Sequence, residues 1–470
     1  MQIPRPVFRS LVALAVVGML ASGVAACSSS ASSSSSSSAS ASASASAGKV
    51  HLTYALWDPN EEVGYKQSVA VFEKAHPNIT VSFVQIPYPN YQEKLQAEFT
   101  SGTGPDIFWV NTPWLSTWIK DGLLVNLAPD IAKAHINMSQ YIPSLVSLHT
   151  YNGAIYGLPK DWDTIAVYYN ENYFAAHHIP VPTSWSWNTT DGGSFLHTLQ
   201  LATIDKSGND ATSPKFDPSA IATYGAELDN AMQTGWGSFL AEDGVYTIPK
   251  AFATSVAFNT PAADQVFQFI RDLMYKDHVL VPGSELGANA TDPSSENNEL
   301  FAAGKIAMQV GGDWETTGTY ADVGGKFKIG VIPLPAGPDG TWSVFNGLID
   351  AINPHSPTFQ AAWELEQWLG SAASQKIMAQ GGYIWPAIPS LDPLFAAYWA
   401  GKGVSMSGFL SESKGNLLDW PNTPGMNQGL TDMQRDMGPI WLGPGSLAQT
   451  SANVSTAASD ANHDLQAAQG

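Results

Sequence analysis

The 470-residue chain holds a single cysteine, Cys27, so no intramolecular disulfide can staple it. Charge is scarce as well. Asp, Glu, Lys and Arg make up 13% of the residues, against about 25% in an average soluble protein, and neutral polar groups must therefore form much of the surface. Basic residues are the scarcer sign, 21 Lys and Arg against 41 Asp and Glu, and a net charge of −20 repels phosphate backbones and anionic lipid. That balance argues against nucleic acid as a partner. No apolar run reaches the roughly 20 residues that a membrane-spanning helix needs; the most apolar one, Leu11 to Ala21, stops well short. Also missing are the His-Glu-x-x-His, paired-Cys, Gly-x-Ser-x-Gly and Gly-x-x-x-x-Gly-Lys patterns, so zinc hydrolysis, thiol chemistry, the nucleophile elbow and P-loop chemistry lose their usual support. No cofactor or metal is expected. The ten His are scattered, and the adjacent His177 and His178 would point in different directions on a helix.

What the chain has in excess is aromatic surface: 16 Trp, 16 Tyr and 19 Phe. Before those rings begin, the N-terminus carries its own message. Arg5 and Arg9 precede the apolar run, which has the n-region and h-region of a secretory signal. The run ends in Val24-Ala25-Ala26-Cys27, which resembles the bacterial lipobox: residues 1–26 would be removed and Cys27 would carry the lipid, a palmitate-type anchor. A soluble export signal cut near Ala26 is the other reading. Residues 28–47 are all Ser or Ala, a composition with nothing to bury, so residues 27–49 read as a lipidated cysteine on a disordered tether.

From Val50 onward, strand and helix patterns alternate. His51 to Trp57 reads as a half-buried strand halted by Asp58-Pro59-Asn60. Tyr65, Val69 and Phe72 then fall on one helical face, Ile79 to Ile86 forms a second strand, and Ile107 to Val110 a third. Later, Lys305 to Val310 and Lys328 to Ile332 read as strands, and Thr358 to Gln380 as a helix. From Gly401 the chain is rich in Gly and Pro, and from Ser446 it is Ala- and Ser-rich with weak helical character. This alternation predicts an α/β fold with mostly parallel sheets.

In parallel sheets, ligands bind at the carboxyl ends of strands. The sequence sets an aromatic beside an acid or amide at several such ends: Trp57 with Glu61, Asn111 after Trp109, Lys160-Asp161-Trp162-Asp163, Trp236 between Gly235 and Gly237, Gly312-Asp313-Trp314, Asn346-Gly347, and Trp385 after Gly381-Gly382. Sugar recognition needs this mixture, because a pyranose has an apolar face that packs on an indole and a rim of hydroxyls that carboxylates and amides can bind. Core packing competes for every single ring; Trp109, Trp363 and Trp368 read as core, whereas Trp314 and Trp385, flanked by glycine, read as exposed planes.

Taken in order, these motifs resemble the extracellular solute-binding proteins of bacterial sugar ABC importers, the family that includes maltose- and trehalose-binding proteins. Its most specific pieces here are Phe72 to Pro77, Ser101 to Val110, Tyr156 to Asp163, Phe301 to Met308 and Gly381 to Ala387. The resemblance implies a two-lobed type II periplasmic-binding-protein-like fold with three hinge crossings, near 161–164, 348–352 and 415–420. Lobe one would comprise residues 50–162 and 351–415, lobe two 163–350 and 416–470. It further implies a ligand site built from Trp57, Glu61, Asn111, Asp161, Asp163, Trp236, Trp314, Asn346, Gly347 and Trp385. A sugar or oligosaccharide ligand, ABC permease subunits as partners, a monomeric state and a lipid-anchored position on the outer face of the cytoplasmic membrane follow from the same likeness. The rival is a secreted carbohydrate-active enzyme with Asp161 and Asp163 as its acid pair, since residues i and i+2 of a strand share a face at a spacing a glycosidase could use.

Overall fold

Thirteen strands run through the described residues: β1 Val50–Leu56, β2 Ile79–Gln85, β3 Ile107–Asn111, the short pair β4 Thr150–Tyr151 and β5 Ala154–Ile155, β6 Ile165–Asn170, β7 Ile204–Asp205, β8 Ile221–Glu227, β9 Ile306–Gly312, β10 Ile329–Ile332, β11 Trp342–Phe345, β12 Leu348–Ile352 and β13 Asn416–Asp419. They are seen in a computed structural model that describes residues 48–248, 250, 252–286 and 298–469. Cys27 and the Ser/Ala tether lie outside the described residues.

The first sheet has the order β12-β3-β1-β2. β1 pairs in parallel with both β2 and β3, and only β12 runs antiparallel to its neighbour. Each parallel step is made by a helix whose sequence starts it sharply. Asp58 accepts the backbone N–H groups of Asn60 and Glu61 at 2.6 and 3.3 Å, and Pro59 follows as the first residue of the helix Pro59–Ala75. Such a cap is worth about 1 kcal/mol. The predicted face of that helix, Tyr65, Val69 and Phe72, is buried against the sheet.

The second sheet departs from the expectation of mostly parallel pairing. Its order is β10-β6-β9-β8-β7, and only the β8–β9 ladder is parallel. Hydrophobic alternation specifies which face of a strand is buried, not which way its neighbour runs, so the direction was not readable. Both faces of this sheet are covered: Ala166 and Tyr168 of β6 join the core that surrounds the first sheet, while Ile165, Val167 and Tyr169 join a second core. The Ala/Ser-rich C-terminus, which has weak helical signal, forms a full helix, Leu447–Ala467, whose Val454, Ala457, Ala458, Ala461 and Leu465 are buried in that second core.

Three segments run side by side between the sheets. Residues on either side of Trp162 bridge to Ile349 and Asn346 on one flank and to Pro386 on the other. β12 lies wholly in the first sheet, so the chain enters that sheet directly after Asn346–Gly347, earlier than the expected break at residue 351. β13 runs parallel to β11, which keeps the predicted 415–420 segment beside that passage. The helix Ser407–Glu412 contacts β6 and β10, so residues given to lobe one from sequence pack against the second sheet.

Candidate functional site

At the carboxyl end of β1, the capped helix places Glu61 in its first turn, where it is 7% exposed, and its Oε2 has no hydrogen-bond partner among the described residues. At the end of β3, Asn111 is occupied structurally. Its Oδ1 accepts the Thr112 N–H at 2.9 Å, capping the helix Thr112–Lys120, and the Asn346 Nδ2 at 3.1 Å; its Nδ2 donates to the Tyr88 hydroxyl at 3.2 Å. Asn346 Nδ2 also reaches Asp163 Oδ2 at 3.4 Å, and the Gly347 carbonyl accepts the Thr112 hydroxyl at 3.0 Å. A Cβ on Gly347 would press on the Asp161 carbonyl oxygen at 2.7 Å, which is why glycine stands where the crossing segments touch.

The second wall comes from the end of β9. Asp313 Oδ1 accepts the Thr164 N–H at 2.8 Å, fixing the turn Asp313–Glu315 to the start of β6. Trp314 is half-buried, and a Cβ on Gly312 would collide with its ring, so glycine at this position lets the indole lie over the backbone. Trp385 packs on Trp162 at 4.6 Å and on Phe395 at 4.9 Å.

These elements converge. Glu61, Asp161, Asp163, Asp313, Trp314 and Trp385, with Tyr383, Ile384 and Phe395, line one narrow cavity of about 10 Å³, room for about one water, so a larger ligand enters only as its walls part. Of the residues expected from sequence, Glu61, Asp161, Asp163, Trp314 and Trp385 meet there. Asn111, Asn346 and Gly347 form the hydrogen-bonded frame beside it, and half-buried Trp57 braces that frame edge-on against Trp109 at 4.7 Å. Trp236 is a correction. It is 1% exposed, with its ring 5.6 Å from Phe267 and 6.1 Å from Phe258, and so belongs to the second core rather than to the cavity. Asp313 and Tyr383 had a signal in the sequence, each standing beside a chosen tryptophan motif; Phe395, on the helix Asp392–Gly401, had none.

The cavity is strongly acidic. Burial pushes the Glu61 and Asp163 carboxyls well above the usual range; repulsion from Asp58, Asp161 and Asp313 adds to this at Glu61, and repulsion from Asp313, Asp161 and Glu61 at Asp163, against the pull of Lys160. Asp313 is likewise raised by burial, against the Thr164 N–H that favours its charge. Asp161 rises to about 6, because burial outweighs Lys160 and the Leu348 N–H at 2.8 Å. Lys160, 1% exposed, is the one cation at hand: its Nζ sits 3.4 Å over the Trp109 ring and 3.9 Å from Asp161. Chemically, this is an acceptor-rich pocket with an indole wall. It suits a ligand that brings its own hydrogen-bond donors and an apolar face.

The profile of the bacterial extracellular solute-binding proteins matches residues 67–402, most of the chain, with every residue lining this cavity but Glu61. The protein belongs to that family. It is a family of binding proteins rather than enzymes, so the acid-pair alternative finds no support, and its members act outside the cytoplasm. Among curated relatives, the galactooligosaccharide-binding protein of Bacillus subtilis is 26% identical over 414 residues, covering 84% of each chain. The arabinooligosaccharide-binding protein of the same organism is 27% identical over 405 residues, again covering 84% of each. Among solved structures, Mycobacterium tuberculosis UspC is 26% identical with a TM-score of 0.69 over 87% of this chain and 100% of its own. An ABC substrate-binding protein of Listeria monocytogenes in complex with cycloalternan superposes with a TM-score of 0.74 over 88% and 98%; at 17% identity it bears on the fold alone.

Proposed function

We propose that this protein is the sugar-capturing component of an ABC importer: it binds a sugar or oligosaccharide between its two sheets and presents it to a membrane permease. The observation that carries the reading is the cavity itself, where Glu61 from one sheet and Asp163, Asp313 and Trp314 from the other face a common space. Relatives named for galacto- and arabino-oligosaccharides support a carbohydrate over other solutes. Capture works by closure. A sugar bound through Glu61 alone leaves its other face in water; bringing up Trp314 adds stacking and further acceptors, and that differential affinity shifts the population to the closed form. No bond of the ligand is broken, and the closed surface is what the permease reads. The chain acts as a monomer, tethered through a lipid on Cys27 to the outer face of the cytoplasmic membrane; Cys27→Ser should move it from the membrane fraction to the medium.

Intrinsic tryptophan fluorescence against a panel of mono- and oligosaccharides tests the central claim. A saturable response that Trp314→Ala weakens by roughly 1 to 3 kcal/mol is expected. Affinity unchanged in that variant, or no response to any sugar, would sink it.

A further inference from the structure

We infer that the sugar taken by this cleft carries a protonated amine, received by the unpartnered carboxylate of Glu61 with Asp163 and Asp313 around it. The inference rests on the sugar-binding reading and names the class of sugar.

A count of charges starts the argument. Four carboxylates line the cavity, and neither a lysine nor an arginine lines it. Lys160 lies behind the lining and is already engaged: its Nζ is held over the rings of Trp109 and Tyr65, at 3.4 and 4.6 Å, with Asp161 as its ion-pair neighbour. Lys160 neighbours Asp161 and its charge also favours the ionised forms of Glu61 and Asp163, but one cation stands against four lining carboxylates, which leaves the cavity with an excess of negative charge.

The second observation is independent of that count. Three other buried glutamates each receive a protein donor: Glu242 takes the Trp187 indole N–H at 2.6 Å, Glu366 the Leu158 N–H at 2.6 Å and Glu412 the Leu334 N–H at 2.9 Å. Glu61 is 7% exposed and lines the cavity, yet no donor among the described residues reaches its side chain; its Oε2 is buried and unpartnered, whereas Glu366 and Glu412 leave only their second oxygen so. A buried acceptor left unpaired costs about 1 to 3 kcal/mol, and more when it is charged, so a ligand that supplies the donor recovers that cost.

Which donor fits best is decided by charge. A hydroxyl supplies one hydrogen bond and no charge, so three crowded carboxylates would still repel one another. An ammonium group supplies three N–H donors and a full positive charge in one compact centre. A metal ion would meet the charge too, but no group of three or more His, Cys, Asp or Glu among the described residues is spaced to hold one. The upward shifts of Glu61 and Asp163 agree: these acids resist ionising together when buried, and an organic cation is the ligand part that lets them do so.

Matched pairs of sugars differing only by an amine in place of a hydroxyl test this on the full-length chain: glucosamine and glucose, galactosamine and galactose, and chitosan and cello-oligosaccharides of equal length. Titrations are run at a pH where the amines are charged. In at least one pair the amine should bind tighter by about tenfold or more, a ratio worth about 1.4 kcal/mol. Glu61→Gln should bring that ratio close to parity with no fall in melting temperature, whereas Trp314→Ala should weaken both partners alike. Neutral members binding as well as their amines in every pair overturns the inference and leaves sugar binding intact. So does an amine preference that survives in both Glu61→Gln and Asp163→Asn. Failure of every sugar, amine or neutral, overturns the sugar reading and this inference with it.

Discussion

Trp236 and Trp314 look alike in the sequence, each set among glycines after a strand, and the structure sends them to opposite fates. Around Trp236 the glycines serve the backbone. A Cβ on Gly235 would strike the Asp229 carbonyl oxygen, and one on Gly237 the Met232 carbonyl, so glycine allows the π-helical turn Met232–Trp236 to wind tightly and drive its indole into the core. Around Trp314 the glycine serves the ring. The group a Gly312 Cβ would strike is the indole itself, so here glycine lets the side chain lie flat at the cavity. Glycine beside tryptophan therefore signals a close approach, and only the identity of the approaching group tells core from site.

The sharpest way to break this comparison is to delete the buried ring. Trp236→Ala should destabilise the protein by about 3 to 5 kcal/mol in denaturant unfolding, the range for large aromatics removed from a core, while sugar affinity measured well below the transition stays near wild type. A large loss of affinity with intact stability would return Trp236 to the cavity. Next in size is Gly235→Ala. Its obstacle is main chain, which cannot swing aside, so a loss of about 1 to 3 kcal/mol is expected from overpacking. Gly312→Ala meets a side chain that can rotate. Its stability cost should stay under about 1 kcal/mol, and the deficit should appear in sugar affinity instead, because the indole is displaced from the cavity. Equal costs at the two glycines would remove the distinction.

How much of this was legible follows the same division between pattern and approach. The strands of the first sheet were readable to within a residue or so, as with Ile79 to Ile86 against Ile79–Gln85, because alternation and turn residues are local signals. The stretch from Thr358 to Gln380 carries one apolar face but is two helices, since Ser371 accepts the Ser374 N–H at 3.2 Å and starts the helix Ala372–Gln380 afresh. Glu61 and Trp314 were legible as strand-end residues, and Asp163 as part of the motif that leads into β6. Phe395 was not, for it reaches the cavity from a helix more than 300 residues from Glu61, and no local pattern encodes that meeting. Nor could sequence show that Asn346, chosen with Asn111 as a sugar contact, donates its Nδ2 to the Asn111 Oδ1.

The effect most thinly spread over conditions concerns the buried acids, which differ between core and cavity as the tryptophans do. Glu412 is a core acid: its Oε1 takes the Leu334 N–H, yet burial still lifts its pKa to about 8. A carboxyl whose folded pKa lies above its unfolded value of about 4.3 stabilises the fold fully at low pH and loses that contribution as pH rises through the folded value. His149 works the other way. Burial lowers it to about 4, so its contribution grows as pH rises from there towards about 6.5 and is complete above. Between about 6.5 and 8, then, Glu412 still titrates and His149 does not. Glu412→Gln should flatten the fall of stability across that interval by at most about 1.4 kcal/mol per pH unit, the slope of one proton, and steepen the rise between about 4.3 and 6.5, where Glu412 opposes His149. Chemical unfolding at a series of pH values reads this directly; a slope the substitution does not touch would mean that Glu412 is ionised in the fold, and that a single backbone donor is enough to hold a buried carboxylate charged.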